Sequence, residues 1–580
     1  MSINRFVKIV CLLSGMLLFS TANAYNPPIG IPAPSFGIDE VAPAAPAAWP
    51  SSQASGFYYI DNSHPNATDS NNTYGYPDKP RVTVPNGFSA GSYIELHGGP
   101  YTTVNKQLNF NCTASQPCWF RGPSSSNMPT ITGTFALVDS TYVIMENMDF
   151  NGGAGGAIGI RGQNSNHISV RNSSIQNKAF QGNSAGVSIV PALGGTVNDI
   201  VIYNVSFKSL GDYTSTVDQD FHGVGPSLWN RDSNTSLYNV WLLDSYCYRI
   251  SGNCIQPNGG NWTNSGQYLH HIYAGRNVSH DGRQAGFWTK QARDVVYSQN
   301  TIYNNRQKGA QPGDGMGYQY GPDNLWYIYN HIYNCNYGIR QSDTSASSSS
   351  SSSYIIGNVI HDIHPESLPN YNPNDSWRPG TAISLWHGNM TRYIVDNTIY
   401  DAHNGITSIY NGPVHISGNT ISEIDAQGTF IDISHAARNG VASIDHSNFF
   451  DTGGDFLSRW NFNPYSSMSA LKAASGQCNN CLEVNPSFVN ATIGENPNDP
   501  HDFSLSSTSP LIGVNNDLTK SNNTPDVYAI FQQRYGLDIR KDTNNIARPA
   551  TGRSIGAYES SNTVAVKKPN PPSNIQYQIN

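Results

Sequence analysis

Residues Asn277–Arg340 read NVSHDGRQAGFWTKQARDVVYSQNTIYNNRQKGAQPGDGMGYQYGPDNLWYIYNHIYNCNYGIR and contain two near-copies of one unit. Each copy has an alternating apolar run that leads into an Asn (VVYSQNTIYNN and LWYIYNHIYNCN) and a second short run (GFWTK and GMGYQY). Alternation of β-branched and aromatic residues with polar ones is typical of β-strands. Units this short have no room for a strand and a helix each, so the stretch predicts a succession of short strands.

The unit recurs along the chain, with an Asn at a corresponding place in each copy and spacings of roughly 22 to 40 residues. A period of this length is typical of a solenoid, in which each repeat buries its apolar face by stacking on its neighbours. A stacked Asn at a tight turn can bond to the coils on either side. The positions assigned to this column are Asn147, Asn172, Asn204, Asn277, Asn300, Asn330, Asn358, Asn397, Asn419 and Asn448, with Asp244 filling one gap.

With these residues in view, the chain resembles the secreted right-handed parallel β-helix proteins. That superfamily includes pectate-lyase-like polysaccharide lyases and polygalacturonase-like hydrolases, and the resemblance extends from Gly56 to Glu559. It implies an all-β, right-handed parallel β-helix solenoid with an N-terminal extended segment and a C-terminal cap. Because the superfamily also holds epimerases, phage tailspikes and adhesins, the resemblance bears on the fold and leaves the reaction open.

Composition narrows the class of protein. Charged residues make up 12% of the chain and the net charge is −8, so no basic patch favours a nucleic-acid partner. Arg5 and Lys8, the apolar run from Ile9 to Phe19 and the small residue Ala24 predict a cleavable signal segment over 1–24. The mature chain would begin at Tyr25 and be secreted or periplasmic, and no later run is long and apolar enough for a transmembrane segment.

The remaining chain divides by composition. Residues 25–56 are rich in Pro and Ala and predict an extended segment, and 57–482 carry the strand repeats of the β-helix. Residues 483–559 are assigned to a C-terminal capping region, and the polar 560–580 to a disordered tail.

Seven cysteines follow the signal segment. In an oxidising compartment three close pairs predict local disulfides: Cys112 with Cys118, Cys247 with Cys254, and Cys478 with Cys481. Cys335 is left over and is expected to be buried. His361, His364 and the other histidines in turns fit no zinc spacing, so the sequence predicts no metal site there.

Aligning the coils places the second short strands in one column of polar and aromatic residues. Aromatic faces can stack on pyranose rings and planar polar groups can bond to hydroxyls, so this column predicts a groove for an acidic or neutral polysaccharide. The alternative is that its aromatic residues only stack as ladders on an exposed sheet. The residues assigned to substrate binding are Gln256, Arg283, Trp288, Tyr318, Gln319, Trp386 and His387.

Lys290 is the most informative residue of the column. Its neighbours Phe287 and Trp288 would desolvate it and lower its pKa, which favours a general base. β-Elimination on a uronic acid needs such a base at C5, a group that stabilises the carboxylate, and a proton donor for the leaving oxygen. Arg283, Arg340 and Gln319 could stabilise the carboxylate, and Tyr320 or His222 could donate the proton. The alternative is a solvated lysine at a strand end.

Asp218 and Asp220 are the second candidate. They could be catalytic carboxylates, ligands of a calcium ion, or part of a polar turn. A glycoside hydrolase needs two facing carboxylates, and Asp281 and Asp314 are the other acids close to the proposed groove. None of these acids forms a polygalacturonase signature.

The sequence therefore predicts an exported polysaccharide-active enzyme, specifically a lyase that cleaves an acidic polysaccharide by β-elimination. Two alternatives stay open: a non-catalytic carbohydrate-binding or matrix β-helix protein, and a glycoside hydrolase with paired Asp residues. The sequence does not identify the sugar, and it leaves any metal requirement undefined beyond the calcium option.

Overall fold

The structure is a computed structural model. It describes residues 24–47, 49, 51–260, 268–306, 312–342, 351–365, 379–386, 389–408, 412–434, 442–494, 501–514 and 525–559. The predicted signal segment before residue 24, the tail 560–580 and His387 lie outside these residues.

Three parallel β-sheets wind along one axis, and each coil contributes one strand to each sheet. The coil that holds Lys290 illustrates the register: Lys290 pairs with Gln319 in sheet A, Val295 with Leu325 in sheet B, and Thr301 with His331 in sheet C. The predicted all-β parallel β-helix solenoid is confirmed.

The strands are grouped by sheet. Sheet A contains Gly87–Ser89, Lys106–Asn111, Phe135–Val138, Phe221–Pro226, Asn253–Ile255, Ala285–Lys290, Asp314–Gln319, Tyr337–Ser342, Thr381–Trp386, Asn404–Ser408, Ile431–Ile433 and Ser458–Trp460, with an antiparallel Asn463–Tyr465 at its end. Sheet B contains Phe57–Asp61, Tyr93–His97, Cys118–Arg121, Thr141–Glu146, Ser236–Leu243, Leu269–Gly275, Arg293–Ser298, Asp323–Ile328, Ser352–Ile356, Thr391–Val395, Val414–Ser417 and Ala442–Asp445. Sheet C contains Thr130–Ile131, Asp149–Asn151, Tyr246–Ile250, Val278–His280, Thr301–Tyr303, His331–Tyr333, Val359–Ile363, Thr398–Ala402, Thr420–Ile424 and Asn448–Phe450.

Six further elements complete the set of strands and helices in the described residues. Ile158–Lys178 and Ser184–Leu210 are long strands that each run through all three sheets. Phe488–Asn490 and Asp502–Leu505 form a separate antiparallel pair. Helix α1 is Met468–Ser475 and helix α2 is Val527–Tyr535. Neither helix has the length and apolar character to cross a bilayer.

Inward-facing side chains from the three sheets form one continuous core. Phe287 and Met316 of sheet A, Leu325 of sheet B and Ile332 of sheet C all belong to it, and each is fully buried. A coil only a few residues wide could not shield such side chains alone, so stacking of coils supplies the burial. Met468 and Leu471 of α1 join this core at its C-terminal end.

The asparagine ladder exists, and it is shorter than predicted. Each side-chain amide bonds to the Asn of the next coil, as in the 2.9 Å contact from Nδ2 of Asn300 to Oδ1 of Asn330. The same Oδ1 accepts the backbone N–H of Asn300 at 3.0 Å, so the turn's donor is satisfied. The ladder consists of Asn277, Asn300, Asn330, Asn358, Asn397 and Asn419.

The other assigned positions are wrong by one residue. Ser245 and Ser447 occupy the ladder position on the coils at its two ends. Asp244 is therefore one residue before that position, and Asn448 is one residue after it. Asn147, Asn172 and Asn204, like Asp244, occupy the preceding corner with φ between 49° and 57°. Asn and Asp tolerate that left-handed conformation better than most residues, which explains why the same residue types recur one position away.

The predicted disulfides are confirmed. Sulfur atoms bridge Cys112 to Cys118, Cys247 to Cys254 and Cys478 to Cys481. Cys335 is a buried free thiol, as expected.

Both terminal regions pack against the outside of the solenoid. Ile31 of the N-terminal segment and Phe531 of α2 join one apolar cluster with Trp326 and Tyr354, which point outward from sheet B. Phe503 of the C-terminal region packs on sheet C with Tyr400. The outer faces of sheets B and C are therefore partly covered.

Candidate functional site

A cavity of about 250 Å³ opens on sheet A, on the strands Ala285–Lys290 and Asp314–Gln319. It brings together nine of the residues that the sequence singled out: Asp218, Asp220, Gln256, Trp288, Lys290, Asp314, Gln319, Tyr320 and Arg340. The lining also includes Asn253, Gln284, Ala285 and Pro312. The predicted column of polar and aromatic residues is thus a real concave surface on one sheet.

Lys290 ends its strand with its side chain toward this cavity. Its Nζ lies 5.8 Å from the centroid of the Tyr320 ring. Among the described residues, no acceptor lies within hydrogen-bonding or ion-pairing distance of this Nζ. Burial lowers the pKa of Lys290, although the charges of Asp220 and Asp218 partly oppose that shift.

Trp288 and Arg340 form the wall beside Lys290. The guanidinium of Arg340 lies 5.4 Å from the Trp288 ring and 5.1 Å from the Tyr337 ring. It also makes a two-point ion pair with Asp314, with distances of 2.8 Å from Nε to Oδ1 and 2.7 Å from Nη2 to Oδ2. This pairing fixes the guanidinium in place and balances most of its charge locally.

Gly317 makes room for the Trp288 ring. It lies between Trp288 and Arg340 in the sheet register. A Cβ at this position would overlap both the Trp288 ring and the carbonyl oxygen of Arg340. The indole N–H of Trp288 then reaches Oε1 of Gln319 at 3.3 Å. The glycine therefore determines how the aromatic wall is oriented.

His222 supports the cavity from beneath and does not reach it, which corrects its predicted role as a proton donor. Its side chain is 7% exposed, and its Nδ1 accepts the backbone N–H of Asn253 at 2.9 Å. Its Nε2 lies 3.0 Å from Nε2 of Gln256, whose Oε1 accepts from Asn253. Burial and then the charge of Lys290 lower the pKa of His222 to about 3, so the ring is neutral near pH 7. Its contacts position Asn253 and Gln256.

Arg283 has a structural position, which corrects its predicted contact with substrate. The side chain is fully buried and donates to the carbonyl oxygens of Ser251, Val217 and Gln219 at 2.6 to 3.1 Å. Its Nη2 also lies 3.7 Å from Asp218 and 3.8 Å from Asp220. Arg283 therefore holds the loop that presents these two carboxylates at the cavity.

Tyr318 points away from the cavity, contrary to the prediction. It is 1% exposed and lies in the core, where its hydroxyl bonds to Oε1 of Gln341 at 3.2 Å. Strand alternation explains this placement, because Gln319 follows it on the opposite face. Tyr320 comes next, in the left-handed conformation with φ 64°, and returns to the cavity.

Trp386 lies farther along sheet A and does not line this cavity. It pairs with Ser342, which places it on the coils that follow Gln319. His387 comes directly after it and is outside the described residues. Both residues stay candidates for a longer groove along the sheet.

Two lining residues that the sequence analysis did not single out complete the polar network. Asn253 accepts the backbone N–H of Ala285 with its Oδ1 at 3.0 Å, and Gln284 donates to Asp220. The register places Asn253, Ala285 and Asp314 in one row across adjacent coils. That row could have been found by aligning every position of the short strands instead of their aromatic positions alone.

The charges of the lining define what the cavity can bind. Asp218, Asp220 and Asp314 stand against Lys290 and Arg340, a formal balance of −1. Arg340 is paired with Asp314, and the buried Arg283 lies within ion-pair distance of both Asp218 and Asp220. In the described part of the chain, Lys290 is the cation of the lining without a carboxylate at that distance. Lys290 can exchange a proton with a ligand in the cavity. A ligand with a carboxylate would be repelled by Asp218 and Asp220 and would require a further cation beside them.

No protein family and no curated protein matches the sequence. Among solved structures, the pectate lyase Pel9A has 13% identity and a TM-score of 0.33, covering 87% of this chain and 96% of its own. The GH136 lacto-N-biosidase from Eubacterium ramulus has 12% identity and a TM-score of 0.33, covering 74% and 68%. The PL6 family polysaccharide lyase Pedsa3628 from Pseudopedobacter saltans has 14% identity and a TM-score of 0.27, covering 73% and 93%.

These scores are too low to support an argument about the activity of this chain. The fold assignment instead follows from the strand register, the continuous core and the asparagine ladder. On those observations the chain is a parallel β-helix protein.

Proposed function

We propose that the protein is an exported polysaccharide lyase that cleaves a uronic-acid-containing polymer by β-elimination, with Lys290 as the base. The observation that carries the proposal is the state of Lys290. Its side chain is half-buried beside an open cavity, and its ammonium has no hydrogen-bond or ion-pair partner in the described part of the chain. Desolvation lowers its pKa. An amine that performs only a structural task would be expected to have a carboxylate partner.

The other lining groups have roles in the same reaction. Neutral Lys290 removes the C5 proton, and the Tyr320 hydroxyl is the candidate donor to the leaving oxygen. Trp288 offers a ring face to a sugar, and Gln256 and Gln319 offer amides to its hydroxyls. Arg340 contributes orientation more than free charge, because Asp314 already occupies two of its donors.

The uronate carboxylate needs positive charge that the lining does not supply. Asp218 and Asp220 would hold a calcium ion, and calcium would neutralise the carboxylate and so acidify the C5 proton. Both carboxylates face the cavity, and the side chain of Asp218 is 68% exposed, so an ion could reach them. These two carboxylates would be the only acidic ligands, since the described residues place no third His, Cys, Asp or Glu with them. Waters and the substrate itself would have to complete the coordination.

Export is part of the same proposal. Three disulfides between neighbouring cysteines suit an oxidising compartment. N-terminal sequencing of the exported protein should give Tyr25 as the first residue.

The proposal is tested by incubating the protein with a panel of uronic-acid polymers and neutral glycans, with calcium and with a chelator. A lyase gives products with a new carbon–carbon double bond, detected by ultraviolet absorbance and by mass. A hydrolase gives new reducing ends and products heavier by one water, without the double bond. A binding protein gives affinity for a polymer and no product. Either of the last two results would overturn the proposal.

A further inference from the structure

A second polar cluster lies on sheet C, away from the cavity on sheet A. It involves the strands Val359–Ile363 and Thr398–Ala402, Asp425 after the strand Thr420–Ile424, and His501 of the C-terminal region. Six side chains form it: His361, Asp362, His364, Asp401, Asp425 and His501.

The first three-residue group combines two imidazoles with one carboxylate. His361, Asp362 and His501 each offer a ligand atom, and these atoms all lie within 4.8 Å of one another. Nδ1 of His361 lies 2.5 Å, and Nε2 of His501 3.7 Å, from Oδ2 of Asp362. The three side chains are thus close enough to share one ion, although the hydrogen bond between His361 and Asp362 would have to open by about 1 Å to reach the spacing of two zinc ligands.

The second oxygen of Asp362 is the independent observation. Asp362 is 5% exposed, and its Oδ1 has no hydrogen-bond partner among the described residues. Leaving a carboxylate oxygen buried without a donor is costly, and such groups are rare in folded proteins. A cation would satisfy it.

A neighbouring group adds negative charge at the same place. Nε2 of His364 lies 2.9 Å from Oδ1 of Asp401, and its Nδ1 lies 3.5 Å from Oδ2 of Asp425. Asp401 also adjoins Asp362, and the two carboxyl groups lie within hydrogen-bonding reach of each other. Two adjacent carboxylates need either a shared proton or a cation between them.

We propose that His361, Asp362 and His501 bind a divalent transition-metal ion of the zinc type. Two imidazole nitrogens and one carboxylate oxygen are a common zinc set, and they leave a fourth position for water or for Asp401. Imidazole ligands select against calcium and magnesium, which prefer oxygen. Because His501 belongs to the C-terminal region, the ion would tie that region to the coils of sheet C.

The competing explanation is a set of ordinary His–Asp hydrogen bonds. His361 also stacks on Tyr333, with ring centroids 5.0 Å apart, and its Nε2 lies 2.7 Å from Nε2 of His331. Those contacts explain the position of the His361 ring. Without an ion, Oδ1 of Asp362 has a donor only if its carboxyl group shares a proton with Asp401. The C-terminal region would then be held here by ring contacts alone, since His501 and Phe503 lie 5.1 and 4.9 Å from the His361 ring between centroids.

The experiment uses the full chain, stripped with a chelator and then dialysed against Zn²⁺, Co²⁺, Ca²⁺ or Mg²⁺ separately. Bound metal is counted by mass spectrometry, and Co²⁺ coordination is followed by its visible ligand-field bands. The expected result is about one equivalent of Zn²⁺ or Co²⁺ and none of the other two ions. Bound Zn²⁺ should also raise the melting temperature.

Three variants locate the ion. Asp362→Asn and His501→Gln should each weaken Zn²⁺ binding by about 100-fold or more, since the loss of an outer-shell partner alone costs 10- to 100-fold. His64→Gln, at a half-buried histidine on the N-terminal coils, should bind Zn²⁺ like the parent chain. Circular dichroism checks that each variant is folded, and the metal content of the unmodified chain tests the proposal even if one variant is not. No retained Zn²⁺, equal binding of Ca²⁺, or unchanged binding in Asp362→Asn and His501→Gln would each overturn it.

Discussion

Single side chains perform two separate tasks in this protein, joining coils and lining a cavity. Asn330 illustrates the first. Its Oδ1 accepts two hydrogen bonds from Asn300, and its Nδ2 donates to the carbonyl of Tyr297 at 2.9 Å and to Asn358 at 3.0 Å. All of these groups are buried, so none can turn to water when the amide is removed.

Asn330→Leu should therefore lower the free energy of unfolding by at least about 1 to 3 kcal/mol, because it leaves buried donors and acceptors unpaired. Thermal or denaturant unfolding measures the loss. Asn166→Leu is the control, since the half-buried Asn166 amide bonds only to the nearby side chains of Asn164 and His167 and joins no two coils. Equal stability of the two variants would show that the asparagine ladder does not stabilise the fold.

Lys290 illustrates the second task, and its ionisation gives a pH prediction. The reaction needs the neutral amine, and burial already lowers the pKa of Lys290 below its usual value. Turnover should rise with pH through this lowered pKa, so the acidic limb of the pH–rate profile should lie below the range of an ordinary lysine.

The charge of Asp220 raises the pKa of Lys290, so Asp220→Asn should move the acidic limb to lower pH. The measurement is kcat/KM against pH for both forms with calcium chelated, because Asp220 is also a proposed calcium ligand and loss of the ion would itself shift the limb. Asp232→Asn, at an exposed carboxylate, is the control. A limb that stays in place, or moves to higher pH, would contradict the assignment of the limb to Lys290.

At the scale of elements, one strand position determines the shape of the cavity. The strand Asp314–Gln319 carries Gly317 against the Trp288 ring, so any side chain there must displace the indole. Displacement would also move Gln319, which accepts from the indole N–H. The aromatic wall and the amide next to Lys290 are thus coupled through a glycine.

Gly317→Ala should destabilise the protein by about 1 to 3 kcal/mol through overpacking and should weaken polymer binding. Calorimetric titration with an oligosaccharide, together with a melting curve, tests both effects. Gly159→Ala is a matched control on sheet A, because a Cβ there would come no closer than 4.0 Å to its neighbours. If Gly317→Ala behaves like Gly159→Ala, the ring is not held as described.

These elements also indicate how far sequence could predict the molecule. The repeats revealed the solenoid because stacking imposes one apolar pattern on every coil. The ladder was misplaced at Asn147 and Asp244 because a left-handed corner favours the same residue types one position earlier. The inward face of Tyr318 was missed because the period of a strand is two, and an error of one residue reverses the faces.

Other features depend on contacts between distant parts of the chain, which no local pattern encodes. His501 meets Asp362 across 139 residues (501 − 362), so no motif spacing could place them together. Arg283 was assigned to the substrate carboxylate as a cation close to Lys290 in the sequence, whereas its donors are used by the carbonyl oxygens of a loop some 64 to 66 residues earlier. Long-range packing determined both outcomes.

At the scale of the whole molecule, the three sheets have different surroundings. The N-terminal segment and α2 cover part of the outer face of sheet B, where Trp326 lies 4.7 Å from Phe531. The C-terminal region packs on sheet C, and sheet A holds the cavity with Lys290. Aromatic ladders occur on the covered sheets, as in the stack of Trp326 on Tyr354 at 3.6 Å. On sheet A, Trp288 instead packs against Arg340.

The most direct test of the proposed function is the turnover of Lys290→Ala on a uronic-acid polymer, compared with Lys208→Ala. The Nζ of Lys208 also lies 5.8 Å from a tyrosine ring, that of Tyr246, but on sheet C. Lys290→Ala should lower kcat/KM for unsaturated product by about 10²- to 10⁴-fold while polymer binding and the melting temperature stay near those of the parent. Lys208→Ala should retain full turnover. Full activity in Lys290→Ala would contradict the assignment of Lys290 as the base.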